Sequence, residues 1–84
     1  MTAVSVTTSS TQIAAPNSAT TFIHIHNASA QAVYLNYDGG AATVADGMVL
    51  AIAGRLELEG SAQCCKGVRG IVAATTADVR VQMG

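Results

Sequence analysis

The sequence predicts an all-β protein, a small antiparallel β-sandwich or jelly-roll-like barrel of about six to eight short strands. Apolar and polar residues alternate with a period of two in four separate windows, which is typical of half-buried antiparallel strands. Turn-forming residues interrupt these windows at short intervals, and no longer window shows a convincing helical pattern. The length of 84 residues predicts a single domain, 1–84.

The clearest alternation begins after the Pro/Asn break at residues 15–18. Ile23 and Ile25 share one face of this strand, and Phe22, His24 and His26 share the other. The small polar residues 27–30 that follow predict a turn closing a hairpin with the next strand. The four clear strand windows are 21–27, 32–37, 55–59 and 79–83.

The remaining strands are predicted from weaker alternation. In the window 79–83, the residues expected to point inward are Val79, Val81 and Met83. In the weaker window 67–74, they are Val68, Gly70 and Val72. Asp38-Gly39-Gly40 ends a strand where a positive φ is expected. The weaker strand windows are 4–7, 48–52 and 67–74.

The N-terminal residues 1–12 are rich in Thr, Ser and Val, which favour strands but supply little bulk to pack. Two interpretations stay open. The segment is either an edge strand of the same domain or an extended arm that pairs with the sheet of a neighbouring subunit. Residues 13–84 are expected to form the sandwich core.

The charge and hydrophobicity of the chain argue against two classes of partner, nucleic acids and membranes. The chain has four Lys+Arg and five Asp+Glu, for a net charge of −1, whereas a nucleic-acid binder needs a basic surface. No stretch is long and apolar enough to span a membrane, and the first residues lack the features of a secretory signal. We therefore expect neither nucleic acid nor membrane as a partner.

The predicted core contains few bulky side chains. Aromatic residues make up 4% of the chain, and alanine supplies much of its hydrophobic content. A domain of this size buries only about 60–65% of its unfolded surface. We therefore expect a monomer of marginal stability that gains support from neighbouring subunits.

His24 and His26 have the i, i+2 spacing that places two imidazoles on one face of a strand, as a divalent metal site requires. Nothing in their spacing brings a third ligand to them. Surface or interface imidazoles are the preferred interpretation, so no metal is predicted. The possible further ligands are Cys64, Cys65, Asp38 and Asp46.

Cys64 and Cys65 are adjacent, and neighbouring cysteines cannot bridge without distorting the peptide between them. Two reduced thiols in a reducing cytosol are expected. Lys66 could lower a thiol pKa, but no general base or oxyanion site accompanies it. One cysteine is expected to point inward and the other outward, and no catalytic or cofactor-binding residue is predicted.

Two acidic motifs receive equally simple interpretations. Glu57 and Glu59 fall on the exposed side of their strand and are expected to be solvated. Asp38-Gly39-Gly40 and Asp46-Gly47 are expected to form turns, since no calcium-binding spacing follows them.

Seven segments follow one another along the chain: VSVTT (4–8), TQI (11–13), FIHIHN (22–27), AVYL (32–35), the glycine-rich stretch 39–50, AGRLEL (53–58) and AATTADVRV (73–81). Taken in this order, they resemble a group of small tailed-phage virion proteins, the β-sandwich accessory proteins of the head. These are decoration or cement proteins. The resemblance spans essentially the whole chain, and its motifs are specific in combination rather than singly. The paired cysteines and the two histidines depart from the family pattern, so no role is carried over to them.

The resemblance implies a non-enzymatic protein, made in a bacterial cytoplasm, that binds the major capsid protein on the outer surface of the head and stabilises it. It also implies a symmetric oligomer, most often a trimer. The alternatives are another virion component of the neck, tail or head fibre and a carbohydrate-binding module. The expected interface residues are Val4, Val6, Phe22, His24, His26, Tyr34 and Tyr37.

Overall fold

The computed structural model describes residues 2–45, 47–60 and 64–84. These residues form eight strands in two four-stranded antiparallel sheets, which confirms the predicted small β-sandwich. The strands are β1 (Thr2–Val6), β2 (Thr11–Ala14), β3 (Phe22–Asn27), β4 (Val33–Asn36), β5 (Met48–Leu50), β6 (Arg55–Glu59), β7 (Val68–Ile71) and β8 (Ala77–Met83).

The order of the strands defines the winding of the chain. Sheet A has the order β1-β8-β3-β6 and sheet B has the order β2-β7-β4-β5. The pairs β1–β8, β2–β7, β3–β6 and β4–β5 are therefore nested within one another, as in a long hairpin rolled into a sandwich. This nested pairing in two sheets is the jelly-roll arrangement.

The core between the sheets is aliphatic. The alternation predicted from the sequence places Ile23 and Ile25 inward, and both are fully buried. Val68, Gly70 and Val72 are also buried, as predicted. Aromatic rings do not reach full burial in the described residues. The largest fully buried apolar side chains are Ile23, Ile25, Leu35, Val6, Val33, Val68, Val72 and Val79.

The predicted burial of one residue, Met83, is wrong. Met83 is 38% exposed, although its parity on β8 matches that of Val79 and Val81. The side chain ends the strand beside an open groove that Ala14 and Ala15 also line. With no neighbour filling that groove, the end of β8 stays open to solvent.

The predicted hairpin at residues 27–30 is also wrong, because β3 belongs to sheet A and β4 to sheet B. The connection is a corner between the sheets, and the buried side chain of Asn27 organises it. Its Nδ2 donates to the carbonyl oxygens of Gln31 (2.8 Å), Leu50 (3.1 Å) and Ala51 (3.2 Å). Its Oδ1 accepts hydrogen bonds from the N–H and hydroxyl of Ser29.

The N-terminal segment contributes to both sheets. β1 pairs with β8 of the same chain over its whole length, and a turn at residues 7–10 then leads into β2 of sheet B. The hydroxyls of Thr7 and Thr11 hold this turn through bonds to Ser9. β2 is not predicted from the sequence, and it crosses the expected boundary between 1–12 and 13–84.

The turn after β4 agrees with the prediction, because Gly39 has a φ of +96°. In the turn before β6, Ala53 takes the left-handed conformation, with a φ of +61°. Gly54 is needed for a different reason. A Cβ there would lie 2.8 Å from the carbonyl oxygen of Ala51.

Candidate functional site

The two outer faces of the sandwich differ in chemistry. The outward side chains of sheet A form what we call the charged face. On it, His24 lies between Glu57 on β6 and Gln82 on β8. His26 lies between Arg55 and Arg80 in the next row. The charged face comprises Phe22, His24, His26, Arg55, Glu57, Glu59, Asp78, Arg80 and Gln82.

The histidines sit beside a shallow groove of about 270 Å³ between β3 and β6. The rings of Phe22 and His24 lie 5.0 Å apart at an angle of 50°. The Nε2 atom of His24 is buried and has no hydrogen-bond partner among the described residues. The imidazole of His24 therefore contacts the ring of Phe22 and leaves its Nε2 without a hydrogen bond among the described residues.

Arg80 makes the ion pair of this face. Its guanidinium lies 2.8 Å from the carboxylate of Asp78, and both side chains are nearly half exposed. The hydrogen bond and then the charge of Asp78 raise the pKa of Arg80 above its ordinary value. Because solvent reaches both groups, this pair contributes little to folding.

The possible metal ligands are not brought together. No three His, Cys, Asp or Glu side chains in the described ranges are placed to hold a metal ion. His24 and His26 lie on the charged face, while Cys64 is buried in the connection between β6 and β7. Asp46 lies outside the described residues. Asp38 accepts a hydrogen bond from the N–H of Gly40 (3.0 Å) and so forms a turn, as predicted.

The cysteines lie just before β7 rather than within a strand. Cys64 is fully buried, and its Sγ is 3.5 Å from the carbonyl oxygen of Leu58, to which it donates. Cys65 is half-buried, so the two thiols differ in exposure as predicted. A thiol as deeply buried as that of Cys64 presents no surface to a substrate.

The outer face of sheet B carries an apolar row. Val49 on β5 lies opposite Tyr34 on β4, which lies opposite Ile71 on β7. Val49 is 58% exposed. We call Val49, Tyr34 and Ile71 the apolar row, which runs across three neighbouring strands.

Exposed apolar side chains cluster around β5. Four large apolar residues are exposed among the described residues, and three of them, Val44, Val49 and Ile52, lie within residues 44–52. Single exposed apolar residues need no explanation. Val49, however, lies beside the aromatic ring of Tyr34, and aromatic residues are enriched in protein interfaces.

The charged side chain on the strands of sheet B is held by internal hydrogen bonds. Arg69 is the one charged residue in the strands of sheet B. Its Nε and a terminal nitrogen donate to the hydroxyl and carbonyl of Ser10 at 2.8 and 2.9 Å. The same hydroxyl accepts the N–H of Ala42 (3.0 Å), which holds the loop between β4 and β5 close to Ser10. These bonds hold the charged guanidinium of Arg69 at Ser10, next to the start of β2.

The structure divides the predicted interface residues among three places. Phe22, His24 and His26 lie on the charged face, and Tyr34 lies in the apolar row. Val4 and Tyr37 pack against the core, and Val6 is fully buried in it. Val6 therefore offers no surface to a partner while β1 is paired with β8.

Two members of the apolar row are missed by the sequence reasoning. Ile71 has the outward parity relative to Val68, Gly70 and Val72, and Val49 has the outward parity relative to Leu50. Both positions could have been recognised from alternation alone. Their significance depends on Tyr34 lying between them, which requires the strand order of sheet B.

No family model, no curated protein and no solved structure matches this chain. Within the residues that the structure describes, no helix has the length and apolar character needed to cross a membrane.

Proposed function

We propose that this chain is a non-enzymatic phage structural protein that binds the outer surface of the capsid and stabilises the head as a decoration or cement protein. Its partners are the major capsid protein and further copies of itself in a symmetric oligomer. The observation that carries the proposal is the apolar row on the outer face of sheet B. The resemblance of the whole sequence to small phage head proteins supplies the partner.

The composition of the apolar row supports a protein–protein contact. Interface cores are depleted in charge and enriched in aromatic residues, and this row combines Tyr34 with two branched aliphatic side chains. Sugar-binding sheet faces rely on exposed aromatic platforms. Tyr34 is one half-buried ring between Val49 and Ile71, which suits packing against a protein better.

The fold is compatible with this role. Jelly rolls occur in viral capsid proteins, but also in lectins and cupins, so the fold alone does not define the function. A small rigid sandwich can cover the junctions between capsid subunits, where many weak copies together stabilise the shell. Binding to the lattice would also stabilise a lightly packed domain by mass action.

The proposal is tested by co-sedimentation of the purified protein with empty capsids of its phage. The wild-type protein is expected to bind at many sites over the shell. Val49→Glu places a charge next to Tyr34 in the apolar row and is expected to weaken binding at least about tenfold. Val49 is exposed, so the variant should keep its circular dichroism spectrum.

The matched control is Gln82→Glu, which adds the same charge on the charged face and should bind as the wild type does. Absence of wild-type binding would refute capsid decoration, and so would binding at a single vertex, which would indicate a neck, tail or fibre component. Equal binding of Val49→Glu and Gln82→Glu would show that the apolar row is not the contact.

A further inference from the structure

The four edge strands of the sandwich differ in how they resist pairing with another chain. Sheet A has the edges β1 and β6, and sheet B has the edges β2 and β5. An edge strand exposes unpaired backbone N–H and C=O groups that another strand can bind. Proteins block such edges with charge, proline, bulges or very short strands.

Three of the four edges carry such a device. β6 has charged side chains at Arg55, Glu57 and Glu59. β2 has a register shift between Gln12 and Ala14, and Pro16 follows it closely. β5 is three residues long. A second chain would therefore pair poorly with any of these strands.

β1 carries none of them. Its five residues contain no charge, proline or glycine, and they pair with β8 without a register shift. Threonine and valine favour extended backbone. The side chains of Thr2, Ala3 and Ser5 are small and exposed, and Val4 is half-buried. β1 is thus a regular and accessible edge.

We propose that β1 pairs antiparallel with β1 of a second copy across a two-fold axis, which joins the two A sheets into one continuous eight-stranded sheet. With the axis at Val4, Val4 lies opposite Val4 of the second copy, and Ala3 lies opposite Ser5. The two valines cover each other's remaining exposed surface. No like charges come to lie opposite each other along the contact.

This contact deepens the proposed function, because it specifies how the oligomer forms, and its biological meaning rests on that function. The stoichiometry is distinctive. An isologous contact closes after two copies, so the purified protein should be a dimer or an even-numbered oligomer, whereas the resemblance implies a trimer. The charged face and the apolar row remain available on both copies.

The test is the oligomeric state of the purified chain, measured by sedimentation. In Ala3→Lys/Ser5→Lys the two-fold pairing would place lysines opposite lysines, and we expect the dimer dissociation constant to rise about tenfold or more. Ala45→Lys/Ala51→Lys adds the same charge at exposed positions on either side of β5 in sheet B and should dimerise as the wild type does. Circular dichroism and thermal unfolding identify any variant that fails to fold.

A cross-linking experiment tests the register independently. Residues directly opposite each other in an antiparallel pair are close enough for a disulfide. Val4→Cys should therefore form a covalent dimer on mild oxidation, which the wild-type protein with its native cysteines should not do. Adding Ala3→Lys/Ser5→Lys to Val4→Cys should suppress that dimer.

Two results would overturn the β1 contact. One is a wild-type chain that stays monomeric up to about 1 mM, and the other is an oligomer that the β1 lysines do not weaken. Neither measurement involves capsids. A β1 dimer that fails to bind capsids refutes the proposed function alone, and capsid binding by a protein without the dimer refutes the contact alone.

Discussion

Sheet A and sheet B share one core but differ in regularity. The strands of sheet A are five to seven residues long, and those of sheet B are three or four. Sheet B also contains the register shift of β2 and an inward-facing glycine, Gly70, in β7. Sheet A is a regular ladder, whereas sheet B depends on particular local contacts.

The outer faces follow the same division. The charged face of sheet A is polar apart from Phe22, which suits it to contact with water. The apolar row of sheet B leaves branched aliphatic surface beside Tyr34 without charge, although the strands beneath it are the shorter ones. Sheet B, the less regular sheet, is therefore the one whose outer surface would gain most from contact with a partner.

The largest expected effect comes from substituting Gly67, which precedes β7 in sheet B. Gly67 has a φ of +72°. A Cβ there would overlap the carbonyl oxygen of Ala14 and lie 2.8 Å from the nitrogen of Pro16. Gly67→Ala should lower the free energy of unfolding by roughly 3–4 kcal/mol, measured by urea denaturation followed by circular dichroism.

Gly60, at the end of β6 in sheet A, is the matched control. Its φ is +91°, but a Cβ there has no heavy atom within 4 Å. Gly60→Ala should therefore lower the free energy of unfolding by only about 1 kcal/mol, the cost of placing a residue with a Cβ at a positive φ. If the two variants cost the same, close packing at the start of β7 does not support sheet B, and the comparison of the sheets loses its energetic basis.

The next effect concerns Asn27, which joins the end of β3 in sheet A to the end of β5 in sheet B. Replacing it with alanine removes the side-chain donor to the buried carbonyl oxygen of Leu50. It also removes one donor each from the part-buried carbonyl oxygens of Gln31 and Ala51, which keep the Ser29 hydroxyl and the Gly54 N–H. Unsatisfied buried carbonyls are costly, so Asn27→Ala should reduce the free energy of unfolding by about 2–3 kcal/mol. Urea denaturation measures this loss as well.

Asn36 provides the comparison within sheet B. It also ends a strand, and it bonds to the N–H of Asp38 and the carbonyl of Ala41, both at exposed positions. Because water can replace these partners, Asn36→Ala should lower the free energy of unfolding by less than about 1 kcal/mol. Equal losses at the two asparagines would mean that the corner at Asn27 does not hold the sheets together.

The sequence predicted the parts of the fold that depend on alternation. The faces of β3, the burial of Val68, Gly70 and Val72, and the positive φ of Gly39 all follow from local patterns. The hairpin after β3 was wrong because a polar turn looks the same whether it joins neighbours or crosses between sheets. What separates the two cases is the bonding of Asn27 to β5, which is distant in sequence.

The candidate site was less predictable than the fold. Tyr34 was recognised as an aromatic anchor, but Val49 and Ile71 join it only through strands that are not consecutive in the chain. Val6 was expected at an interface as part of a possible N-terminal arm, and in this structure it is fully buried. Local patterns show which side of a strand faces inward, but not which strands become neighbours.

The smallest expected effect is on the charged face, at the ion pair of Asp78 and Arg80. Both side chains are nearly half exposed, so water and salt screen their attraction. Asp78→Asn should leave the unfolding temperature unchanged within error from about pH 5 to pH 9. The control is Glu57→Gln, which removes a charge from the same face at a residue that forms no ion pair among the described residues.

The sign of the pH dependence supports this expectation. Asp78 raises the pKa of Arg80, and a cation with a raised folded-state pKa contributes its stability at every pH below its ordinary value. That contribution is lost only as the pH rises through the folded-state value, which for arginine lies far above the working range. A fall in unfolding temperature in Asp78→Asn that high salt abolishes would contradict this. It would show that sheet A depends on charge at its outer face as sheet B depends on close packing at Gly67.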